Sequence, residues 1–160
     1  MKHILVVDDN KVNLVSAKNL LSGNYKVTAV TMGAQALKFL ENNVVDLILL
    51  DKNMPEMDGF EVMAKLQERE KTKNIPIVFL TADSDAGIES RCIREGAFDF
   101  IAKPFVPEVM LSRIEKVIEL DELRRNLAKE LDEKTKEVRL VRNKALQDVL
   151  TCLWNRSYTE

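Results

Sequence analysis

Asp8 and Asp9 in ILVVDDN, Asp51 in DLILLDKNMPEMDG, Thr81 in FLTA and Lys103 in FDFIAKPF are the residues of this 160-residue chain best placed to do chemistry. Each closes a short apolar run. Three carboxylates brought to one place repel each other, by about 4 kcal/mol for a pair 4 Å apart at an effective dielectric near 20. Something cationic must offset that repulsion. A hard divalent ion with oxygen ligands and retained waters does so, and carboxylates with a backbone carbonyl are donors that Mg²⁺ accepts, with Mn²⁺ as a substitute. Lys103 adds a second, mobile positive charge and Thr81 a hydroxyl. Such a set can bind phosphate or a metal. Taken singly, each residue has a plainer account: an Asp pair or a threonine caps a following helix, and a lysine at a strand end is solvated. Their joint placement is what points to a site.

The elements that must position these residues are legible in the alternation of the chain. Short β-rich runs, HILVV, KVTAV, DLILL, IPIVFL and FDFIA, alternate with helical patterns such as VNLVSAKNLLSG, GAQALKFLEN, GFEVMAKLQERE and GIESRCIREG. Strands separated by helices of this length need crossovers, which implies a parallel sheet covered on both faces. The expected fold is α/β, a doubly wound five-stranded parallel sheet of order 2-1-3-4-5. In open sheets of this kind ligands bind beyond the carboxyl ends of the strands, which is where the acidic residues, Thr81 and Lys103 fall. Gly23 and Gly96 follow helical runs, where a left-handed residue can close the last turn. Pro76 opens a strand, where its missing N–H costs least.

From Pro107 to about Asp148 there is no glycine or proline, and charge is dense. A heptad with Val117, Arg124, Leu131, Val138 and Ala145 at one seam position and Leu120, Leu127, Lys134 and Val141 at the other is mostly apolar. An unbroken helix of about 40 residues extends about 60 Å and cannot bury such a seam alone. The pattern predicts a helical stalk over 107–148 pairing as a parallel coiled-coil homodimer, with Arg124 and Lys134 weakening the pairing and fixing register. A solvated, isolated helix is the other reading.

Composition narrows the classes further. The net charge of −2 carries no basic bias, so no nucleic-acid footprint is expected. Cys92 and Cys152 stand 60 residues apart in unrelated segments and read as ordinary reduced thiols. Cys92, on the fourth helix four residues after Ile88, is expected to be a small core residue. The opening MKHILVV is too short an apolar run for a signal peptide, and no run of about 18 apolar residues follows. No membrane partner is expected, and the predicted location is cytoplasmic. His3 opens an inner strand and is assigned no role.

The segments ILVVDDN, DLILLDKNMPEMDG, FLTA and FDFIAKPF together resemble the response-regulator receiver domain over about residues 1–120. The resemblance implies that Asp51 is the phosphoacceptor, taking a phosphoryl group from a histidine kinase or phosphotransfer protein, or from a small phosphodonor. It implies that Asp9, Asp51 and the backbone carbonyl of Asn53 ligate Mg²⁺, with Asp8 acting through water. Thr81, a backbone N–H at Ala82 and Lys103 would bind the phosphoryl oxygens. Pro55 and Gly59 would shape the loop after Asp51, and the Lys103–Pro104 peptide would be cis. Phe100 stands at the aromatic position on the fifth strand, where family members often carry tyrosine, so only the packing part of a switch with Thr81 carries over. A plain core phenylalanine is the alternative.

The tail DVLTCLWNR resembles the entry segment of GGDEF domains, which condense two GTP molecules into cyclic di-GMP, with Cys152 where that family usually has glycine. Residues 148–160 are then expected to be the truncated start of a diguanylate cyclase, its pairing controlled through the stalk. No GG(D/E)EF loop is in the sequence, so this chain as given is not expected to make cyclic di-GMP. Two rivals remain at this level. One is a receiver with a dimerising stalk that signals by binding a partner. The other is an aspartate-nucleophile phosphatase resembling the haloacid dehalogenases, though those place the nucleophile after the first strand and follow it with a second acid, where Asn53 stands here.

Overall fold

The structure is a computed structural model that describes residues 1–82 and 86–159, with side chains described except at 86, 88, 89 and 137–159. Five strands form one parallel sheet: β1 (His3–Val7), β2 (Lys26–Val30), β3 (Leu47–Asp51), β4 (Ile77–Thr81) and β5 (Asp99–Ala102). Their spatial order is β2-β1-β3-β4-β5. Five helices connect and follow them: α1 (Lys11–Leu21), α2 (Gly33–Asn42), α3 (Gly59–Glu68), α4 (Ala86–Arg94) and α5 (Pro107–Thr159). This is the doubly wound arrangement that the sequence predicts.

The central strands are apolar on both sides because both sides are covered. Successive residues alternate between two cores. Ile4, Val6, Leu47, Leu49, Val78 and Leu80 pack with Leu14 and Leu21 of α1 and Met110, Ile114 and Val117 of α5. Leu5, Val7, Ile48, Leu50, Ile77 and Phe79 pack with residues of α2 and α3 and with Cys92 of α4. Each such aliphatic side chain taken out of water contributes roughly 1.5–3 kcal/mol before the entropy of ordering is subtracted. The same parity puts Phe100 and Thr81 on the α2–α4 side, because Phe100 is in register with Phe79 and packs on that core.

Register aligns the strand ends that carry the chemistry. Val7 stands opposite Leu50, Asp51 opposite Leu80, and Thr81 opposite Ala102. Asp8, Asp51, Thr81 and Lys103 therefore leave the sheet at one edge.

Helix ends differ from expectation in two places. Neither Asp8 nor Asp9 caps α1; Asn10 does, its side chain accepting from the Val12 N–H at 2.9 Å. This leaves both aspartates for other work. Gly96 has φ +113 and closes α4, with Gly96 N–H donating to Ile93 O and Ala97 N–H to Cys92 O, the paired bonds of a left-handed helix stop. Gly23 does not have this role. α1 ends at Ser22 in the right-handed region, whose N–H bonds to Lys18 O, so no left-handed residue is needed there.

The chain divides into two compact units, Met1–Glu119 and Leu120–Glu160. In the first, Val117 is 2% exposed within the core shared by α1 and α5. This corrects its assignment to the stalk seam, since a side chain already buried in its own domain has no surface left for a partner. In the second unit Leu120, Leu127 and Leu131 are exposed, and so is Leu123. Arg124 is tied to Asp121 on its own helix, Nη2 to Oδ1 at 2.7 Å, with Arg125 Nε 3.0 Å from the other oxygen. Val138 and Val141 lie outside the described side chains. Among the described residues no helix is long and apolar enough to cross a membrane.

Candidate functional site

Two carboxylates and an ammonium sit together at the sheet's carboxyl edge. Lys103 Nζ is 3.0 Å from Asp8 Oδ2 and 3.0 Å from Asp51 Oδ1. Asp8 is fully buried, Asp51 is 5% exposed, and Asp9 is open to solvent. Lys103 is thus not a loose charge across the cleft. Its ammonium already offsets part of the repulsion between the two buried acids.

Local backbone explains how these side chains are aimed. The Asn10 N–H donates to Asp8 Oδ1 at 2.9 Å, which fixes one oxygen and turns the other inward. Asp8 Oδ2 is buried and, despite the nearby lysine, receives no aligned hydrogen bond. The Asn53 N–H approaches Asp51 Oδ1 at 3.4 Å. The loop after Asp51 returns on itself, with Gly59 N–H donating to Lys52 O at 2.9 Å and Met57 N–H to Pro55 O at 2.8 Å. Asp58 then caps α3 by accepting from Glu61 N–H. Glu56 holds a left-handed conformation, φ +68, at the tip of this turn. The Lys103–Pro104 peptide is cis, and Lys103 N–H donates to Thr81 O at 2.8 Å.

Burial raises the Asp51 carboxyl from its ordinary 3.8 to about 6. The bond from Lys103 opposes the rise and the charge of Asp8 adds to it. For Lys103, burial works to lower the value, but the carboxylates of Asp8 and Asp51, each 3.0 Å away, outweigh it and hold the ammonium charged. The site is charged, crowded and coupled.

The donor set fits a hard divalent ion. One carboxylate oxygen from each of Asp8, Asp9 and Asp51 lies within 4.8 Å of the others. All the donors are oxygens. Lys103 sets one positive charge against three clustered carboxylates, which leaves negative charge for an ion to offset, while the exposed side of Asp9 leaves room for the waters Mg²⁺ retains.

Residues 4–115 match the model of the response regulator receiver domain. The chain belongs to that family. The receiver is 42% identical over 107 residues to the two-component response regulator ORR11 of Oryza sativa subsp. indica, covering 66% of this chain and 73% of that protein. It is 36% identical over 111 residues to a Vibrio cholerae protein described as a "probable cyclic di-GMP phosphodiesterase", covering 69% of this chain and 25% of that one. Among solved structures, it resembles the receiver domain of the sensor histidine kinase PA1611 of Pseudomonas aeruginosa, which has magnesium coordinated in its active-site cleft. The TM-score is 0.68 with 32% identity, covering 74% of this chain and 98% of that one. Receiver domains bind Mg²⁺ at the acidic pocket and interact with histidine kinases or phosphotransfer proteins.

Of the residues the sequence singled out, Asp8, Asp9, Asp51 and Lys103 converge within direct reach. Thr81 is buried at the end of β4, with Ala82 exposed beyond it. Phe100 is half-buried. What sequence reading missed in this receiver is Asn10, whose cap and N–H orient the first acidic residues, and Arg113 of α5, whose side chain reaches back to β5. An Asn after two aspartates was a visible capping signal; an arginine 13 residues beyond its target carried none.

Proposed function

We propose that the protein is a two-component response regulator whose Asp51 accepts a phosphoryl group in a Mg²⁺-dependent reaction. The observation that carries this reading is Lys103 Nζ held 3.0 Å from both Asp8 and Asp51 at the end of the sheet. In the reaction an Asp51 carboxylate oxygen forms a bond to phosphorus as the donor's P–N or P–O bond breaks. Asp9, Asp51 and the Asn53 carbonyl would hold the ion, with Asp8 through water, and the bound metal would supply positive charge to the phosphoryl oxygens. Lys103 exchanges its hold on Asp51 for a phosphoryl oxygen. The Thr81 hydroxyl and the Ala82 N–H bind the others. Phe100, on the same face of the sheet as Thr81, then has space to move inward.

The donor is a histidine kinase or phosphotransfer protein. α1 begins two residues after Asp9 and presents Val12 and Val15, 74% and 58% exposed, beside the acidic edge. An apolar helix face this close to the phosphoacceptor suits docking of the protein that brings the phosphoryl group.

The exposed leucines of the second unit support a parallel homodimer through the C-terminal helix. The DVLTCLWNR segment supports a diguanylate cyclase as the output under control. The other output is partner binding by the dimer alone. Phosphorylation would repack α4, β5 and α5 and alter pairing along the helix.

The test is labelling by acetyl phosphate with Mg²⁺. One phosphoryl group per chain, slow to leave and lost in Asp51→Asn, is expected; labelling that survives Asp51→Asn overturns the reading. Rapid turnover of p-nitrophenyl phosphate would instead favour the phosphatase. Chain association measured with and without beryllofluoride checks the dimer, and unchanged association and helix geometry would remove the switch.

A further inference from the structure

Phe100 is held by more than its packing. Its N–H donates to Asp99 Oδ1 at 2.8 Å, and its carbonyl accepts from Arg113 Nη1 at 2.8 Å. The same Arg113 nitrogen lies 3.3 Å from the same Asp99 oxygen, which closes a ring of interactions around the Phe100 backbone. The guanidinium carbon is also 5.1 Å from the centre of the Phe100 ring. One side chain on α5 thus touches the backbone and the aromatic face of a single β5 residue.

We propose that Arg113 is a positioning residue that holds the Phe100 ring in its place beneath the guanidinium and ties its position to α5. The inference rests on the reading of Phe100 as a partner of Thr81 in a phosphorylation switch. The backbone bonds anchor Arg113 whichever way the ring points, whereas the cation–π contact exists only while the ring stays within about 6 Å of the guanidinium. Movement of the ring toward Thr81 gives up that contact and keeps the others. Arg113 therefore weights the ring position seen here without touching the phosphoryl group, and its response to the ring's departure is delivered to α5, six residues before the first compact unit ends at Glu119. A contact of this kind at a partly exposed site shifts a two-state balance by about two- to fivefold.

The test places 4-fluorophenylalanine at position 100 and follows its ¹⁹F signal in the full chain, with Mg²⁺, before and after saturating beryllofluoride. In the otherwise unaltered protein the signal should move on beryllofluoride binding. In Arg113→Gln the population at the bound-state position should rise about two- to fivefold before any beryllofluoride is added. Arg113→Lys, which keeps the charge, should recover part of the original distribution. An arginine serving only stability would lower the melting temperature and leave the fluorine populations unchanged, which overturns the proposal. If the signal of the unaltered protein does not move although beryllofluoride binds at Asp51, the switch reading fails and the proposal with it. If the signal moves but Arg113→Gln behaves as the unaltered protein, the role of Arg113 alone is refuted.

Discussion

A Cβ at Gly59 would fall 2.5 Å from the Asp51 carbonyl oxygen, so the start of α3 is pressed directly against the backbone of Asp51. The same atom would lie 2.8 Å from Phe79 and 3.0 Å from the Lys52 Cα, and none of these neighbours is the free end of a flexible chain. Glycine is needed here for space.

Gly59→Ala is therefore expected to destabilise the domain by about 1–3 kcal/mol, the usual range for forcing a methyl group into a filled interior. It should also slow labelling of Asp51 by acetyl phosphate, because the strand end must shift. Urea denaturation and a phosphate-affinity gel measure the two effects. Unchanged values in both would show that the loop yields more easily than its geometry implies.

Asp51 itself should cost stability when no metal is bound. Its folded carboxyl keeps a proton up to about pH 6, whereas in the unfolded chain it ionises near 3.8. The folded state binds the extra proton in this window, so stability falls as pH rises from about 4 through about 6 and stays lower above. Asp51→Asn removes the ionisation and should be more stable by about 1–3 kcal/mol at pH 7.5 in EDTA. The gain should vanish below about pH 4, and millimolar Mg²⁺ should reverse the ranking. Equal denaturation midpoints in EDTA at pH 7.5 would count against the crowding of charge described here.

Lys103→Met should act in the opposite sense. It leaves Asp8 and Asp51 buried without their counter-charge, and about 3 kcal/mol of stability should be lost in metal-free buffer at neutral pH. Mg²⁺ should restore most of that stability. Phosphorylation should recover far less, remaining at least about tenfold slow, since in the proposed reaction the ammonium also binds a phosphoryl oxygen. Parallel melting and labelling curves separate the two roles.

Along the C-terminal helix, the exposed leucines at 120, 123, 127 and 131 are spaced by three, four and four residues, an eleven-residue step instead of a heptad. Arg124, which a strict heptad puts in the seam, is bound to Asp121 instead. If two chains pair here, Leu123→Cys should form an oxidised dimer faster than Arg124→Cys. The reverse order would restore the heptad.

The fold was legible because fully buried parallel strands are written as continuous apolar runs, and the acidic residues and lysine stand directly after them. The glycine after α4 was legible for the same local reason. Other features depend on how side chains reach across space. Periodicity could not say that Val117 turns into the receiver core before the helix leaves it, nor that Lys103 spans two acids at once. The grip of Arg113 on Phe100 joins two elements through atoms whose sequence separation carries no pattern. Gly23 misled because a serine one position earlier let α1 stop without a left-handed residue.

Lys103 also bears on which ions the acidic edge will accept. Its ammonium supplies one unit of positive charge to Asp8 and Asp51 from within the protein, tethered and therefore always at hand. A potassium or sodium ion that displaced it would exchange one monovalent charge for another, surrendering its own hydration to do so, with no electrostatic advantage. Only an ion of higher valence changes the balance. The lysine should thus act as a filter, keeping the pocket indifferent to abundant alkali cations while leaving it responsive to scarce alkaline-earth ones.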